Sequence, residues 1–302
     1  MHSGVWKSRC ILRAVVLILP ALGLLACGNE DLSELNDRYQ AQQAAQFPTV
    51  QFAAELTPDQ VVSEAPVMVD ENVEAHAELT IDYYDDSITG YVKVTGLAPN
   101  NIGLYEGSAG LTSEEPVFWF EWDPENPDTW RIPANKKLSI SQLERLDSAE
   151  LYLQINTDNY YQGVLRTQVY FPCSEGYLPC VRVALAELSG EGMDSGEAHD
   201  TYGRAYVTIE EYGANIRFIR GVVRIVGLNP DSVWLVRNKN LNSPQGLVLE
   251  PEQGYWQFEE GTTLENSNFT AISGGNLFFV ATYDDPSIGD ITGKLSLVDS
   301  DL

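Results

Sequence analysis

Three features of this sequence predict an all-β chain made of two tandem antiparallel β-sandwich domains, each with one short helix. Segments such as 77–81 and 90–96 alternate apolar and polar residues between regularly spaced turn residues, as strands of antiparallel sheets do. The segment 151–165 also recurs as 277–291, at an offset of 126 residues. Solenoid and propeller repeats are only about 20–50 residues long, so this offset indicates a duplicated domain. The total length of 302 residues fits two such domains.

The strand candidates follow the same order in both copies, which we place at 48–172 and 181–302. The first copy has strands near 77–81, 90–96 and 117–122, with Asp85 and Asp86 in a hairpin turn. The second copy has strands near 204–209 and 222–226. Trp256 stands 126 residues after Trp130, so we expect both rings to pack in the cores rather than to bind a ligand.

A short helix is expected before the repeated strand of each copy. Ser139 is a suitable N-cap for a helix that ends near Leu146. Leu143 and Leu146 are three residues apart, and Phe269 and Ile272 hold the same positions in the second copy. Residues with this spacing share one helix face, so we expect each pair to close one end of its sandwich.

The N-terminus has the pattern of an export signal. Lys7, Arg9 and Arg13 precede an apolar segment, 14–26, which is shorter than the roughly 20 residues of a membrane-spanning helix. The segment ends in Leu-Leu-Ala-Cys at 24–27, which resembles the lipobox of bacterial lipoproteins. The resemblance implies cleavage before Cys27 and acyl chains on that cysteine. The alternative is an ordinary signal peptide with an incidental cysteine.

This reading divides the N-terminal region into a signal peptide, 1–26, and a flexible tether, 27–47. The tether prediction rests on the polar composition of 28–46, which has no sustained apolar face. Gly28 follows the cysteine, and the lack of Asp there resembles the default that sends lipoproteins to the outer membrane of Gram-negative bacteria. We therefore expect a lipid-anchored protein of the bacterial envelope, and that resemblance implies the outer membrane.

The charge balance bears on the possible partners. Without residues 1–26 the chain keeps 15 Lys and Arg against 44 Asp and Glu, a formal charge of −29. This charge argues against nucleic acid and against docking on anionic headgroups, so the acyl chains would hold the protein on its membrane.

Cysteine use agrees with export. With Cys10 in the signal peptide and Cys27 acylated, Cys173 and Cys180 remain, and we expect a disulfide that closes the linker 173–180. The alternative is a metal pair or a redox dithiol, although the spacing is not CxxC and no histidine lies nearby.

Residues 151–168 resemble the C-terminal signature of the chordin-type (CHRD) domain. The family pattern is LYVNVHT, a turn rich in Asn, Pro and Gly, and GEIRGQ; this chain has LYLQINT at 151–157 and GVLRTQ at 163–168. The segments 94–97 and 106–110 resemble the family's V-S-G-L and G-G-A-A-G, and 52–57 its first strand. The resemblance covers most of 48–172 and reaches the second copy mainly through the repeat. It implies an immunoglobulin-like or superoxide-dismutase-like β-sandwich.

The chain departs from this family at its histidines. CHRD domains typically have His-x-His before the glycine-rich turn and a further histidine in the LYVNVHT strand, a set that could hold a transition metal. The corresponding residues here are Gly103, Tyr105 and Asn156, and the second copy has Thr282 at the last position. None of these is a good copper or zinc ligand, so we expect no metal site.

Other enzyme classes also lack support in the sequence. After residue 26 the only histidines are His76 and His199, and neither accompanies a nucleophile motif such as GxSxG. The chain also contains no GxxxxGK[ST] phosphate loop. We therefore expect a protein that is not an enzyme.

One segment, 118–130, is a candidate ligand surface because it joins aromatic residues to an acidic loop. The candidate binding residues are Trp119, Trp122, Asp123, Glu125 and Asp128. The tryptophans could stack on sugars, and the carboxylates could bind calcium, although their spacing is not that of an EF-hand. The sequence thus predicts an envelope-anchored binding or scaffolding module with an unknown protein or glycan partner. The alternative is a glycan-binding surface protein that uses calcium or these aromatics.

Overall fold

The computed structural model describes residues 49–63, 67–170, 180–190, 201–212, 216–237, 246–284 and 289–298. Residues Pro48–Leu302 form one compact unit, which we call the larger unit. The predicted signal peptide, the tether with Cys27, and the residues Cys173 and His199 lie outside the described residues. Within the described ranges, no helix combines the length and the apolar character needed to span a membrane.

The first half of the larger unit, 49–169, contains two antiparallel sheets. The strands are β1 (Thr49–Glu55), β2 (Glu74–Asp82), β3 (Ser87–Thr95), β4 (Asn101–Glu106), β5 (Pro116–Trp119), β6 (Glu121–Trp122), β7 (Thr129–Arg131), β8 (Leu151–Asn156) and β9 (Leu165–Val169). One sheet has the order β1-β2-β3-β7-β6 and the other β5-β4-β8-β9. The apolar faces of both sheets contribute to one core cluster.

The two sheets are joined at two places. The segment 116–122 passes from one sheet to the other at Phe120, whose N–H donates to the carbonyl of Ile102 at 2.9 Å. On the opposite side, Thr57 and Arg166 form an isolated antiparallel bridge. The hairpin predicted at Asp85 and Asp86 connects β2 to β3, and the carboxylate of Asp85 accepts from the N–H of Ser87.

In the described residues of the second half, which lie between 180 and 298, nine strands form a single sheet. These are β10 (Cys180–Ser189), β11 (Tyr202–Glu211), β12 (Arg217–Val226), β13 (Ser232–Arg237), β14 (Gly246–Glu252), β15 (Tyr255–Gln257), β16 (Leu277–Thr282), β17 (Ile291–Lys294) and β18 (Ser296–Leu297). Their order is β11-β12-β15-β14-β13-β16-β17-β10-β18, and β10 also pairs with β11. Eight strands therefore close into a barrel, with β18 attached to β10.

The all-β prediction is confirmed, but the prediction of a β-sandwich is wrong for the second half. The strands β10, β11 and β12 are ten residues long and pair along their whole length. Long paired strands twist strongly, and a twisted sheet that closes on itself removes its exposed edges. Alternation in the sequence predicts strands but does not show which strand β10 will meet.

Helices occur at matching positions in the two halves. Helix α1 is Ile140–Asp147 and helix α2 is Asn266–Ser273, again 126 residues apart. As predicted, the side chain of Ser139 caps α1 by accepting from the N–H of Gln142. Leu143 and Leu146 are buried in the first core, and Ile272 is buried in the second.

Candidate functional site

The outer face of the β5-β4-β8-β9 sheet carries most of the polar side chains that the first half buries. In β8, Leu151, Leu153 and Ile155 face the core cluster, so alternation sends the residues between them to the opposite face. That opposite face is nevertheless covered, because every residue of β8 is buried. We call the following residues the polar face: Tyr105, Tyr152, Gln154, Asn156, Arg166 and Gln168.

The positions that correspond to the family's histidines meet on this polar face. Asn156 donates through Nδ2 to the hydroxyl of Tyr105 at 3.2 Å and to Oδ1 of Asn101 at 2.7 Å. Gln154 donates in turn to Oδ1 of Asn156 at 2.9 Å. Gly103 is the register partner of Gln154 on the adjacent strand. The sequence correspondence therefore selects residues that are neighbours in space.

The chemistry of this cluster is neutral hydrogen bonding. Burial raises the pKa of the Tyr105 hydroxyl, so it remains a phenol at neutral pH. At Gly103 a Cβ atom would lie 2.8 Å from Cε2 of Tyr105 and 3.1 Å from Cζ3 of Trp119, so a side chain there would displace both rings. Phenol and amide groups that bond to one another are a poor donor set for a transition metal.

Arg166 is the central residue of the polar face. Its side chain is 1% exposed, and its guanidinium lies 3.6 Å from the ring centroid of Tyr152. It donates through Nη2 to the carbonyl of Leu111 at 2.9 Å and to that of Ser108 at 3.4 Å. Burial lowers its pKa to about 10, so the group is still charged at neutral pH. Its Nη1 and the Oε1 of Gln154 are buried without a hydrogen-bond partner.

The β4–β5 loop, 107–115, covers the polar face. Besides its bonds to Arg166, the loop accepts at the carbonyl of Gly107 from Nε2 of Gln168, at 2.8 Å. Its Ser113 N–H donates to the hydroxyl of Tyr152 at 2.9 Å. The polar side chains of β8 and β9 therefore hold the loop against their own sheet.

The same loop also contacts the second half. Arg224 of β12 donates through Nε to the carbonyl of Gly110 at 3.1 Å. Gly110 has φ +81°, and a Cβ atom there would lie 2.3 Å from Cγ2 of Val222 and 2.9 Å from Cβ of Tyr206. The loop thus lies between the polar face of the first half and strands β11 and β12 of the second.

Further contacts join the halves around the loop. The hydroxyl of Tyr206 donates to the carbonyl of Val61 at 2.9 Å. Glu150, which follows α1, pairs with Arg145 of that helix and with Arg220 of β12, each at 3.2 Å. Val62 and Ala109 form a separate buried apolar cluster with Tyr206 and Val222.

The predicted aromatic candidates, Trp119 and Trp122, are on the surface. Trp119 is 44% exposed, and its ring meets that of Tyr105 edge to face. Trp122 is 52% exposed, and its Nε1 donates to the carbonyl of Pro127. Trp130 packs against the core cluster, as its recurrence at Trp256 predicted. The structure thus separates exposed tryptophans from core ones.

The predicted acidic candidates, Asp123, Glu125 and Asp128, do not form a group of equivalent ligands. Asp123 binds the Nε of Arg131 at 2.7 Å and accepts from Asn126 and from the N–H of Glu125. These bonds hold the pKa of Asp123 low, at about 2. Glu125 and Asp128 are exposed and line an open groove with Lys93 and Arg131. Cations beside these carboxylates weaken the case for calcium.

Two other candidates are only partly covered by the described residues. Cys180 is the buried first residue of β10, but Cys173 is outside the described residues, so the disulfide between them stays a prediction. His76 lies on β2, with Nε2 at 3.6 Å from Oε1 of Glu78. Among the described residues, no three His, Cys, Asp or Glu side chains form a group that could hold a metal ion.

Comparison with known proteins finds a family-model match within the first half. Residues 52–169 match the family model for the CHRD domain. This match supports the resemblance noted for 48–172, and it includes both the polar face and the β4–β5 loop. No curated protein and no solved structure matches the chain.

Proposed function

We propose that this protein is a non-enzymatic binding or scaffolding lipoprotein, anchored through Cys27 in the bacterial envelope and built from two tandem CHRD-like halves. The observation that carries the proposal is that the side chains of the polar face bond to one another and to the β4–β5 loop. At the positions of the family's histidines, the first half has side chains that bond to one another, and beside them Arg166 holds a loop that contacts the second half. These residues serve the assembly of a two-part body rather than a reaction.

A scaffold must keep its binding surfaces in a constant relation to one another. The contacts from Tyr206 to Val61, from Arg224 to Gly110 and from Arg220 to Glu150 resist movement between the halves. The charge of the mature chain favours a soluble body that does not adsorb to anionic lipid. The fixed contacts between the halves and the negative charge of the chain therefore support a binding role.

The anchor is tested by Cys27→Ser. We expect this variant to lose labelling by a radioactive or clickable fatty acid and to move from the membrane fraction to the soluble fraction. Cys10→Ser is the matched control, because it removes a cysteine that the predicted cleavage discards. Membrane attachment of Cys27→Ser at the wild-type level would contradict the anchor. Fractionation of the membranes that carry the control variant would show whether the protein lies in the inner or the outer membrane.

The binding role is tested by affinity capture from envelope extracts. Wild-type protein should retain a specific partner, and Gly110→Ala, which disturbs the contact between the halves, should retain less of it. Gly254→Ala is the control, since Gly254 also has positive φ but a Cβ there meets nothing within 4 Å. Equal capture by both variants would contradict a role for the fixed arrangement of the halves.

A second candidate function, glycan binding, is favoured by the exposure of Trp119 and Trp122. Indole rings on a surface can stack on sugar rings through their apolar faces. A glycan array should then show signals that Trp119→Ala and Trp122→Ala reduce and that Tyr84→Ala, a control at another exposed aromatic residue, leaves unchanged. Equal signals for all three variants would rule out the aromatic version.

The calcium-dependent version is tested separately by calorimetric titration. If Asp123, Glu125 and Asp128 bound calcium, the titration would show a saturable heat of binding and the ion would raise the melting temperature. Because Asp123 is bonded to Arg131, we expect neither effect. A calcium-dependent rise in melting temperature that Asp128→Asn abolishes would restore this version.

A further inference from the structure

A pocket lies at one end of the first half, apart from the polar face and from the exposed tryptophans. Its volume is about 420 Å³, which is in the usual range for small-ligand sites. Three chain segments line it: 68–73 before β2, 96–100 before β4, and 157–164 between β8 and β9. We call it the end pocket.

The floor of the end pocket is apolar and continuous with the core. Val69, Val73 and Leu97 pack against the core cluster of the first half, and Val164 is only 1% exposed. An apolar group that entered the pocket would therefore meet a packed surface rather than mobile side chains. Removal of such a group from water favours binding in proportion to the apolar area buried.

The rim adds two adaptable side chains and is held in place by hydrogen bonds. Met68 is 76% exposed and Tyr160 is 36% exposed, and the hydroxyl of Tyr160 donates to the carbonyl of Met68 at 3.3 Å. Thr157 and Tyr160 exchange backbone hydrogen bonds of 3.2 and 3.1 Å. A tyrosine ring can attract a cation, and a methionine side chain fills irregular gaps.

The charge at the end pocket has one sign. The residues that line it include Asp70 and Asp158 and no Lys, Arg or His, and both carboxylates are on exposed residues. Asn100 bonds to Asp158 through its side-chain amide and so fixes one side of the rim. The groove near Glu125 and Asp128 differs, because Lys93 and Arg131 line it as well.

We infer that the end pocket binds an aliphatic chain that ends in a cation, such as an alkylammonium group or the side chain of lysine. The alkyl part would contact Val69, Val73 and Leu97, and the cation would lie between the rim carboxylates and the Tyr160 ring. This inference rests on the binding role proposed above, and it specifies the chemistry of the ligand.

The test is a titration of the purified protein with hexylammonium, hexanol and hexanoate, followed by amide chemical shifts. Hexylammonium should shift amides at 68–73, 96–100 and 157–164 and bind more tightly than hexanol, and hexanoate should bind least. High salt should weaken hexylammonium binding and leave hexanol unchanged. Hexanol that binds as tightly as hexylammonium, or shifts spread over the surface, would overturn the inference.

Two variants make the test specific to the end pocket. Asp70→Asn/Asp158→Asn should weaken hexylammonium about fivefold, since each exposed ion pair contributes modestly. Glu125→Gln/Asp128→Asn removes the same charge from the other groove and should leave the affinity unchanged. Equal weakening by both double variants would show a general charge effect and overturn the inference.

The same cationic chain could belong to a lysine of a partner protein or to a small amine. Titration with lysine whose termini are blocked distinguishes these two ligands. Tighter binding of the blocked lysine than of hexylammonium would assign the pocket to a protein partner, and weaker binding would assign it to a small amine. Failure of all cationic ligands would overturn the end-pocket inference alone, because affinity capture tests the binding role independently.

Discussion

The two halves use the corresponding face of the corresponding sheet in different ways. The polar face of the first half presents Tyr152, Gln154, Asn156, Arg166 and Gln168, and all five are buried. At an offset of 126 residues the second half has Phe278, Val280, Thr282, Thr292 and Lys294. Of these five, only Val280 is fully buried.

The neighbouring strands show the same contrast. In register, β13 places Ser232 where β4 has Asn101, and β16 places Thr282 where β8 has Asn156. The hydroxyls of Ser232 and Thr282 are 2.6 Å apart, and Trp234 donates to Ser232 at 2.8 Å. A small hydroxyl cluster therefore replaces the extended amide and phenol network. The difference indicates that the buried polar layer belongs to the half whose loop docks against the other.

The largest expected effect comes from Arg166→Ala. This change removes the ring contact with Tyr152 and the hydrogen bond to the carbonyl of Leu111, while the carbonyl of Ser108 keeps the N–H of Leu111 as a donor. We expect a loss of about 4 kcal/mol in unfolding free energy. Thr292→Ala, at the corresponding position of the second half, should cost less than about 1 kcal/mol. Urea unfolding measures both, and equal costs would remove the distinction between the two faces.

Gly110→Ala should rank second. Its Cβ would collide with Val222 and Tyr206, so we expect a cost of about 3 kcal/mol from the left-handed backbone and overpacking together. Gly254→Ala has a similar φ of +86° but open space around the Cβ, and should cost about 1 kcal/mol. The left-handed backbone alone costs each variant about 1 kcal/mol. If the two unfolding free energies differ by less than about 1 kcal/mol, the overpacking at Gly110 is small and the loop is not tightly held.

Tyr206→Phe isolates a single hydrogen bond between the halves. The hydroxyl is buried and bonds to the carbonyl of Val61, so its removal should cost about 1.5 kcal/mol. Burial raises the pKa of Tyr206, so its contribution is present below the unfolded pKa near 10 and is lost at higher pH. The difference in unfolding free energy between wild type and Tyr206→Phe should therefore shrink above about pH 10, and a pH-independent difference would contradict this assignment.

The smallest expected effect is that of Gln154→Val, which gives the first half the residue of the second. The change loses the bond to Asn156 but also removes a buried carbonyl oxygen that has no partner. The two terms oppose each other, so the net change in unfolding free energy should be within about 1 kcal/mol of zero. A loss comparable to that of Arg166→Ala would show that Gln154 has a larger part in the polar face.

Local sequence patterns predict the elements of this fold well. Alternation locates β2 and β3, Ser139 marks the start of α1, and the repeat of Trp130 at Trp256 identifies core residues. These features depend on neighbours in the chain or on a visible duplication. Closure of the barrel depends on β10 pairing with both β11 and β17, a contact between distant segments that alternation does not encode.

The candidate site was harder to predict for the same reason. The resemblance to the family signature includes Asn156 and Arg166, but the sequence does not show their surroundings. Only the fold shows that the β4–β5 loop and the second half cover them. Arg166 in a strand suggests an exposed residue, because a charged side chain is rarely buried without an acidic partner. Asp123 looked like a free ligand, yet Arg131, eight residues later, reaches it across the β6–β7 hairpin.

Differential scanning calorimetry of the wild-type protein tests most directly whether the halves form one body. If the β4–β5 loop joins them as described, residues 48–302 unfold in one transition whose calorimetric and van't Hoff enthalpies agree. In Gly110→Ala the transition should broaden or split. Two separate transitions in the wild-type protein, or a calorimetric enthalpy well above the van't Hoff value, would contradict the account.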